Sequence, residues 1–119
     1  MIVTATVLQA ILAGLFLLAG ATKLLGAKMQ VENFTGYGYP EWFRLVTGGV
    51  EVAGAALMVV GVFIPEAGIA GGLWLAATMT GAVYTDLFRT PSPARAAAPA
   101  VLLIMAIAVV VLRVLEVTD

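Results

Sequence analysis

Residues 45–62 read LVTGGVEVAGAALMVVGV, an apolar run interrupted by one hydroxyl group, at Thr47, and one carboxylate, at Glu51. Helical spacing places the small and polar residues of this run on one face, namely Thr47, Glu51, Gly54, Met58 and Gly61. The stretch therefore predicts a membrane helix that packs a small, polar face against neighbouring helices and turns its larger apolar residues towards lipid.

The composition of the whole chain indicates the same environment. The 119 residues are 62% hydrophobic and only 11% charged, with a mean hydropathy of +1.08, whereas soluble domains carry roughly 25% charged residues. At this length we expect a single integral membrane domain over residues 1–119. The chain has no Cys and no His, which removes disulfides, imidazole haem ligation and the usual zinc sites, so we predict no metal centre. A net charge of −1 without a basic run gives no reason to expect a nucleic-acid partner.

Four segments supply the roughly 20 apolar residues that a helix needs to cross about 30 Å of hydrocarbon. The first could imitate a signal peptide, but it lacks a basic start and is longer than the usual apolar region, so we interpret it as a retained helix. Pro65 separates the second and third segments, and Pro99 is expected in the first turn of the fourth. The sequence predicts an all-α, up-down-up-down bundle of four transmembrane helices at about 2–25, 41–63, 67–88 and 96–115.

The basic residues predict the orientation of this bundle. The first connection carries Lys23, Lys28 and Arg44, the third carries Arg89 and Arg95, and the second carries none. The positive-inside rule then places the first and third connections in the cytoplasm, with both chain termini outside.

The first connection is also the longest polar interruption. It contains a candidate short helix over 27–34, then a turn-rich stretch and the aromatic residues Tyr37, Tyr39, Trp42 and Phe43. These rings could anchor the chain at the membrane surface, or they could form a lid over a pocket.

Glu51 is the best functional clue. It lies about nine residues into its helix, or roughly 14 Å at about 1.5 Å per residue, which is close to the middle of the bilayer. A carboxylate exposed to hydrocarbon is unfavourable, so Glu51 should face the bundle interior and be protonated or have a partner, with Thr78 or Lys23 in reach. Two interpretations remain open: a structural strut that fixes helix packing, or a site for a ligand, substrate or proton.

Three other polar residues of the helix ends are less telling. Tyr84 is typical of an interfacial or packing ring, although it could serve as a proton donor. Asp86 and Arg89 are one turn apart, and we expect an exposed interfacial ion pair that contributes little energy.

Two motifs resemble a known family. Residues 16–24 read FLLAGATKL and residues 49–61 read GVEVAGAALMVVG. These match the F-x-x-x-G-x-x-K-L and E-x-x-G-x-x-L-x-x-x-G patterns of the DoxX and DoxX-like family of small four-helix integral membrane proteins, and the resemblance runs from about Leu12 to Phe88. It implies a multi-pass protein of the prokaryotic inner membrane, linked to quinone or sulfur redox chemistry. It marks Lys23 and Glu51 as motif positions and supplies no agreed catalytic residues.

Two functions follow as hypotheses, and the sequence does not decide whether either involves catalysis. The first is a lipophile- or quinone-binding component of a membrane redox system, working with oxidoreductase subunits. Its candidate ligand-binding residues are Glu51, Lys23, Thr78 and Tyr84. The second is a non-enzymatic, oligomeric membrane module or a small transporter that uses Glu51 as a proton-coupled group.

Overall fold

The computed structural model describes residues 2–89 and 92–118, and in these ranges the chain is helical without strands. Four of the helical segments are long and apolar enough to cross a membrane, which confirms the predicted all-α bundle of four transmembrane helices. Residues 90 and 91 of the predicted third connection lie outside the described ranges. The elements are α1 (Ile2–Leu24), α2 (Lys28–Tyr37), α3 (Glu41–Gly61), α4 (Pro65–Tyr84), a π-helical turn (Thr85–Arg89) and α5 (Pro93–Thr118).

The four long helices form a ring in which α1 contacts α3 and α5, and α4 contacts the same two helices. The interior is filled by side chains from all four, among them Leu12, Met58, Leu75 and Val109. The short helix α2 packs mainly on α3. We call the end of the bundle that holds residues 25–40, 85–89 and 92–95 the α2 end, and the opposite end the terminal end.

Glycines allow the helix backbones to approach closely at the contacts of α3. A Cβ atom on Gly20 of α1 would lie 2.7 Å from the carbonyl oxygen of Gly48, and a Cβ on Gly48 would lie 2.9 Å from that of Gly20. Towards the terminal end, a Cβ on Gly61 would lie 2.5 Å from the Cα atom of Gly68 in α4. Packing of this kind is the usual basis of helix association in membranes, where burial from water offers no driving force.

The helix starts differ from the expected ones at two prolines. α4 begins at Pro65 and α5 at Pro93, because a proline ring presets the backbone angle of a first helical residue. At α5 the hydroxyl oxygen of Ser92 accepts a hydrogen bond from the backbone N–H of Arg95 at 3.3 Å, which caps the helix. Pro99 therefore lies inside α5. The expectation that it occupies the first turn was wrong, because the Ser92 cap starts the helix earlier.

Candidate functional site

Lys23 and Glu51 form an ion pair inside the bundle. The ammonium nitrogen of Lys23 lies 2.7 Å from Oε1 of Glu51, and the two side chains are 12% and 4% exposed. Lys23 belongs to the last turn of α1, and the contact of Gly20 with Gly48 brings that turn against α3. The guanidinium of Arg44, in the first turn of α3, donates a hydrogen bond to the backbone carbonyl of Lys23 and so holds the end of α1 in place.

The two charges meet at a distance typical of a charge-assisted hydrogen bond. Within the described residues, Oε1 of Glu51 is buried and has no polar partner other than this ammonium. The ammonium satisfies the charge of the carboxylate, but this oxygen keeps its capacity to accept a hydrogen bond from another group.

The ion pair lines a cavity of about 580 Å³ that reaches to the α2 end, and we call it the Glu51 cavity. Its walls come from all five helices and the π-helical turn, including the residues Ala19, Phe34, Phe43, Val46, Val50, Met79, Ala82 and Leu102. The walls are thus mainly apolar, with a few polar groups, which is typical of small-molecule sites.

All four residues predicted from the sequence lie on the wall of the Glu51 cavity, but they differ in their contacts. The hydroxyl of Thr78 donates to the carbonyl of Trp74 in its own helix at 2.9 Å, and it is not the partner of Glu51. Tyr84 is 55% exposed and its ring lies against Phe88. The structure therefore places Thr78 and Tyr84 at the cavity without a direct link to the ion pair.

Asp86 is a cavity residue that sequence reasoning missed. It is only 6% exposed, it lines the Glu51 cavity, and its Oδ1 has no hydrogen-bond partner among the described residues. The expected exposed pair with Arg89 is therefore wrong. Asp86 follows the buried Met79 by seven residues, a spacing that returns to the same face of a helix. It lies in a π-helical turn over Thr85–Arg89, a feature that often marks functional sites. This spacing was the available signal in the sequence.

Arg89 and Arg95 instead attach the α2 segment to the bundle. Arg89 donates to the backbone carbonyl of Tyr37 at 3.2 Å and lies over the ring of Tyr39, 4.7 Å from its centroid. Arg95 donates to the hydroxyl oxygen of Tyr37 at 3.2 Å and to Oδ1 of Asn33 at 3.1 Å. These contacts hold the aromatic residues Tyr37 and Tyr39 on the wall of the Glu51 cavity, while neighbouring Trp42 is exposed.

Tyr37 has a shifted ionisation. Burial raises the pKa of its phenol above the ordinary value, the nearby carboxylate of Asp86 raises that pKa further, and Arg95 opposes the shift. Tyr37 therefore stays a neutral hydroxyl at physiological pH, beside a carboxylate on the same cavity wall.

The comparisons with known proteins identify the family. A sequence model described as the DoxX-like family matches residues 7–109 of the chain. The chain belongs to the DoxX-like family. This DoxX-like protein is also similar to the uncharacterized protein YdgD of Bacillus subtilis (strain 168), with 40% identity over 75 residues, which cover 62% of the chain and 66% of that relative. The chain thus spans just under two thirds of the relative's length. No solved structure matches it.

The two sequence motifs of this DoxX-like protein meet at one interface. Gly20 and Lys23 of the first motif face Gly48 and Glu51 of α3. Gly54 of the second motif faces Leu75 of α4. The spacing of each motif thus serves close helix packing, and that packing sets the lysine beside the carboxylate.

A second buried polar cluster lies at the terminal end. Arg113 is 1% exposed; it donates to Oε1 of Gln9 at 2.6 Å, to Glu116 at 2.6 Å and to Thr6 at 3.3 Å. Gln9 in turn donates to the backbone carbonyl of Met58 at 3.0 Å. The cluster ties α1, α3 and α5 together. Sequence reasoning gave Arg113 no role in the bundle, and the available signal was Gln9, a lone amide within an apolar helix.

Proposed function

We propose that this DoxX-like protein binds an amphiphilic small molecule in the Glu51 cavity, with a quinone as the first candidate, and serves as the binding component of a membrane redox system. One observation carries the proposal: a buried ion pair, 2.7 Å from nitrogen to oxygen, lies on the wall of a mainly apolar cavity of about 580 Å³. Ligand pockets of proteins typically measure about 300–1,000 Å³ and combine apolar walls with a few polar groups that orient the ligand.

The polar groups of the cavity fit the head group of a quinone or of its reduced form. The ammonium of Lys23 could donate to a carbonyl oxygen, and Oε1 of Glu51 could accept from a hydroxyl group. A bound quinone would supply the capacity to carry electrons and protons. The chain has no Cys and no His, so electrons would be exchanged with partner oxidoreductase subunits.

The direct test is native mass spectrometry of the protein extracted gently from its own membrane, followed by identification of any bound molecule. We expect a quinone or a related amphiphile to co-purify, and to be lost from Glu51→Ala. Glu66→Ala is the matched control, because this residue is an exposed glutamate of α4. An empty wild-type protein, or equal occupancy in Glu51→Ala, would contradict the proposal.

The second candidate is a proton-coupled transporter or an oligomeric membrane module. It is favoured by the burial of Glu51, whose side chain is 4% exposed, because titratable groups inside a membrane bundle commonly serve proton relays and transporters. A four-helix chain encloses little volume, so a transporter of this size would act as at least a dimer. A pH-dependent flux through reconstituted protein that Glu51→Gln abolishes would support this alternative over the first.

The last part of the proposal concerns the membrane that holds the protein and its orientation there. We propose that the protein lies in the inner membrane of a prokaryote, as the family resemblance implies. The α2 end would face the cytoplasm and both chain termini the outside, because the basic residues at or next to the α2 end are Lys23, Lys28, Arg44, Arg89 and Arg95. The chain has no native Cys, so single cysteines introduced at each end can be labelled in intact cells by an impermeant reagent. Labelling at the α2 end alone would overturn this orientation.

A further inference from the structure

The hydroxyl groups on the wall of the Glu51 cavity can mainly accept hydrogen bonds. Thr47, Thr78 and Thr85 all line the cavity. Each donates its hydroxyl hydrogen to the backbone carbonyl four residues earlier, at 2.8, 2.9 and 2.9 Å. A hydroxyl group has one hydrogen and two lone pairs. With the hydrogen used inside its own helix, each of these oxygens has only acceptor capacity left for a ligand.

The two carboxylates on the wall add further acceptors. Glu51 and Asp86 are both more than nine-tenths buried and both line the cavity. Oδ1 of Asp86 has no hydrogen-bond partner among the described residues, whereas Oε1 of Glu51 is met by the ammonium of Lys23 at 2.7 Å. Burying a charged acceptor without a donor is unfavourable. A ligand that donates a hydrogen bond to Oδ1 of Asp86 removes that penalty, whereas a ligand that only accepts leaves it in place.

Three donors on the same walls are engaged within the protein. The ammonium of Lys23 lies against Glu51. The hydroxyl of Tyr39 lies 2.9 Å from Oγ1 of Thr85, and it must be the donor there because the hydrogen of Thr85 is used on its own helix. The amide nitrogen of Gln30 donates to Thr22 at 3.0 Å. The polar groups of the cavity are therefore weighted towards acceptors.

The two carboxyl groups stand at different depths of one cavity. Gly54 faces Leu75 and Gly61 faces Gly68, so in this antiparallel pair of helices Glu51 stands level with Thr78. Asp86 follows Thr78 by eight residues, or roughly 12 Å at about 1.5 Å per residue. Side chains lean towards the N-terminus of their helix, so the two carboxyl groups lean towards each other along the cavity, where one elongated ligand can meet both.

We infer that the Glu51 cavity selects amphiphiles whose polar head group donates hydrogen bonds over amphiphiles whose head group only accepts them. This inference rests on the proposed function and specifies the ligand class. Two head groups share the required chemistry: the hydroxyl groups of a hydroquinone and the ammonium group of an amphiphilic amine. In a quinone couple, the cavity would hold the reduced form more tightly, because the oxidised form offers only carbonyl oxygens.

The test is anaerobic calorimetric titration of the full chain in lipid nanodiscs with two matched pairs of probes. The neutral pair is a decyl-substituted hydroquinone and its quinone, and the cationic pair is decylammonium and decyl methyl ether. A hydrogen bond to a charged acceptor predicts about tenfold tighter binding of the donor in at least one pair. The pair in which the donor binds more tightly identifies the head group that the cavity accepts, a hydroquinone or an amine.

Variants of the two carboxylates test whether these groups cause the preference for hydrogen-bond donors. Glu51→Gln and Asp86→Asn replace an acceptor by an amide that also donates, so each should reduce the tenfold preference several-fold. Glu32→Gln is the matched control, because this glutamate is exposed and lies on α2 next to the cavity. Circular dichroism establishes that each variant is folded.

The outcomes separate the two proposals. Equal binding of donor and acceptor probes in both pairs, or a preference that neither carboxylate variant reduces, would overturn the donor selectivity and leave the ligand-binding function standing. Binding of no probe to folded wild-type protein would overturn both.

Discussion

Replacing Lys23 by methionine should destabilise the protein more than replacing its partner Glu51 by glutamine. In Lys23→Met the carboxylate of Glu51, whose side chain is 4% exposed, loses the ammonium that lies 2.7 Å away. Removing one partner of a buried ion pair costs about 3–5 kcal/mol. Because the carboxylate lies on a cavity wall that water can enter, we expect a loss near the lower figure, about 3 kcal/mol.

In Glu51→Gln the charge that loses its partner is the ammonium of Lys23. The side chain of Lys23 is 12% exposed and lies in the last turn of α1, so its long stem can carry the ammonium towards water. The glutamine keeps the shape of the glutamate and can still hydrogen-bond, and we expect a loss of about 1 kcal/mol. In the double variant no unpaired charge is buried, so its loss should fall about 2 kcal/mol short of the sum of the single losses.

The assay is equilibrium unfolding of the purified protein in mixed micelles with a rising fraction of denaturing detergent, followed by circular dichroism. Wild type, both single variants and the double variant form a complete thermodynamic cycle. Equal losses in the single variants, or losses that add in the double variant, would refute the reasoning that the ion pair is buried and that Lys23 is the partner able to reach water.

Three further predictions use the same protein. In the same unfolding assay, Gly20→Ala should lower the free energy of unfolding by about 1–3 kcal/mol, because its Cβ would lie 2.7 Å from a backbone carbonyl of α3. The control is Gly14→Ala, whose Cβ would meet no atom within 4 Å. It should be neutral or stabilising by up to about 1 kcal/mol. Arg113→Met should cost about 2 kcal/mol or more there, since its guanidinium bonds to three side chains in a buried cluster, and a neutral result would contradict a structural role for this cluster. Asp86→Asn should lower the raised pKa of Tyr37 towards its ordinary value, because it removes a neighbouring negative charge. An ultraviolet titration of tyrosinate should then move to lower pH, with Tyr37→Phe as the variant that isolates the signal of Tyr37. An unchanged titration would exclude the influence of Asp86.

Much of the fold could be predicted from local sequence. Hydropathy over about 20 residues identified the four membrane helices, because a bilayer of fixed thickness demands that length and leaves little choice of structure. Helical periodicity also indicated that Glu51 faces the interior, where it is found buried. The helix starts at Pro65 and Pro93 were missed by two or three residues, since a cap such as Ser92 depends on local geometry.

The sequence predicted only part of the candidate site. Lys23 was one of two partners considered for Glu51, and the choice depended on the close approach of Gly20 to Gly48, a contact between helices. Asp86 was assigned to the surface because it lies near a helix end, one turn from Arg89, although its spacing of seven residues from Met79 places it on the interior face.

The sequence by itself determined the class of this protein: its membrane helices, its two family motifs and the one carboxylate in the middle of a helix. These depend on hydropathy and on residue spacing within one segment, which act locally. The tertiary structure decided which groups meet, as in the pairing of Lys23 with Glu51 and of Gln9 with Arg113, 104 residues apart. It also enclosed the Glu51 cavity between all five helices, because a cavity and its hydrogen-bonding capacity exist only after the helices have packed.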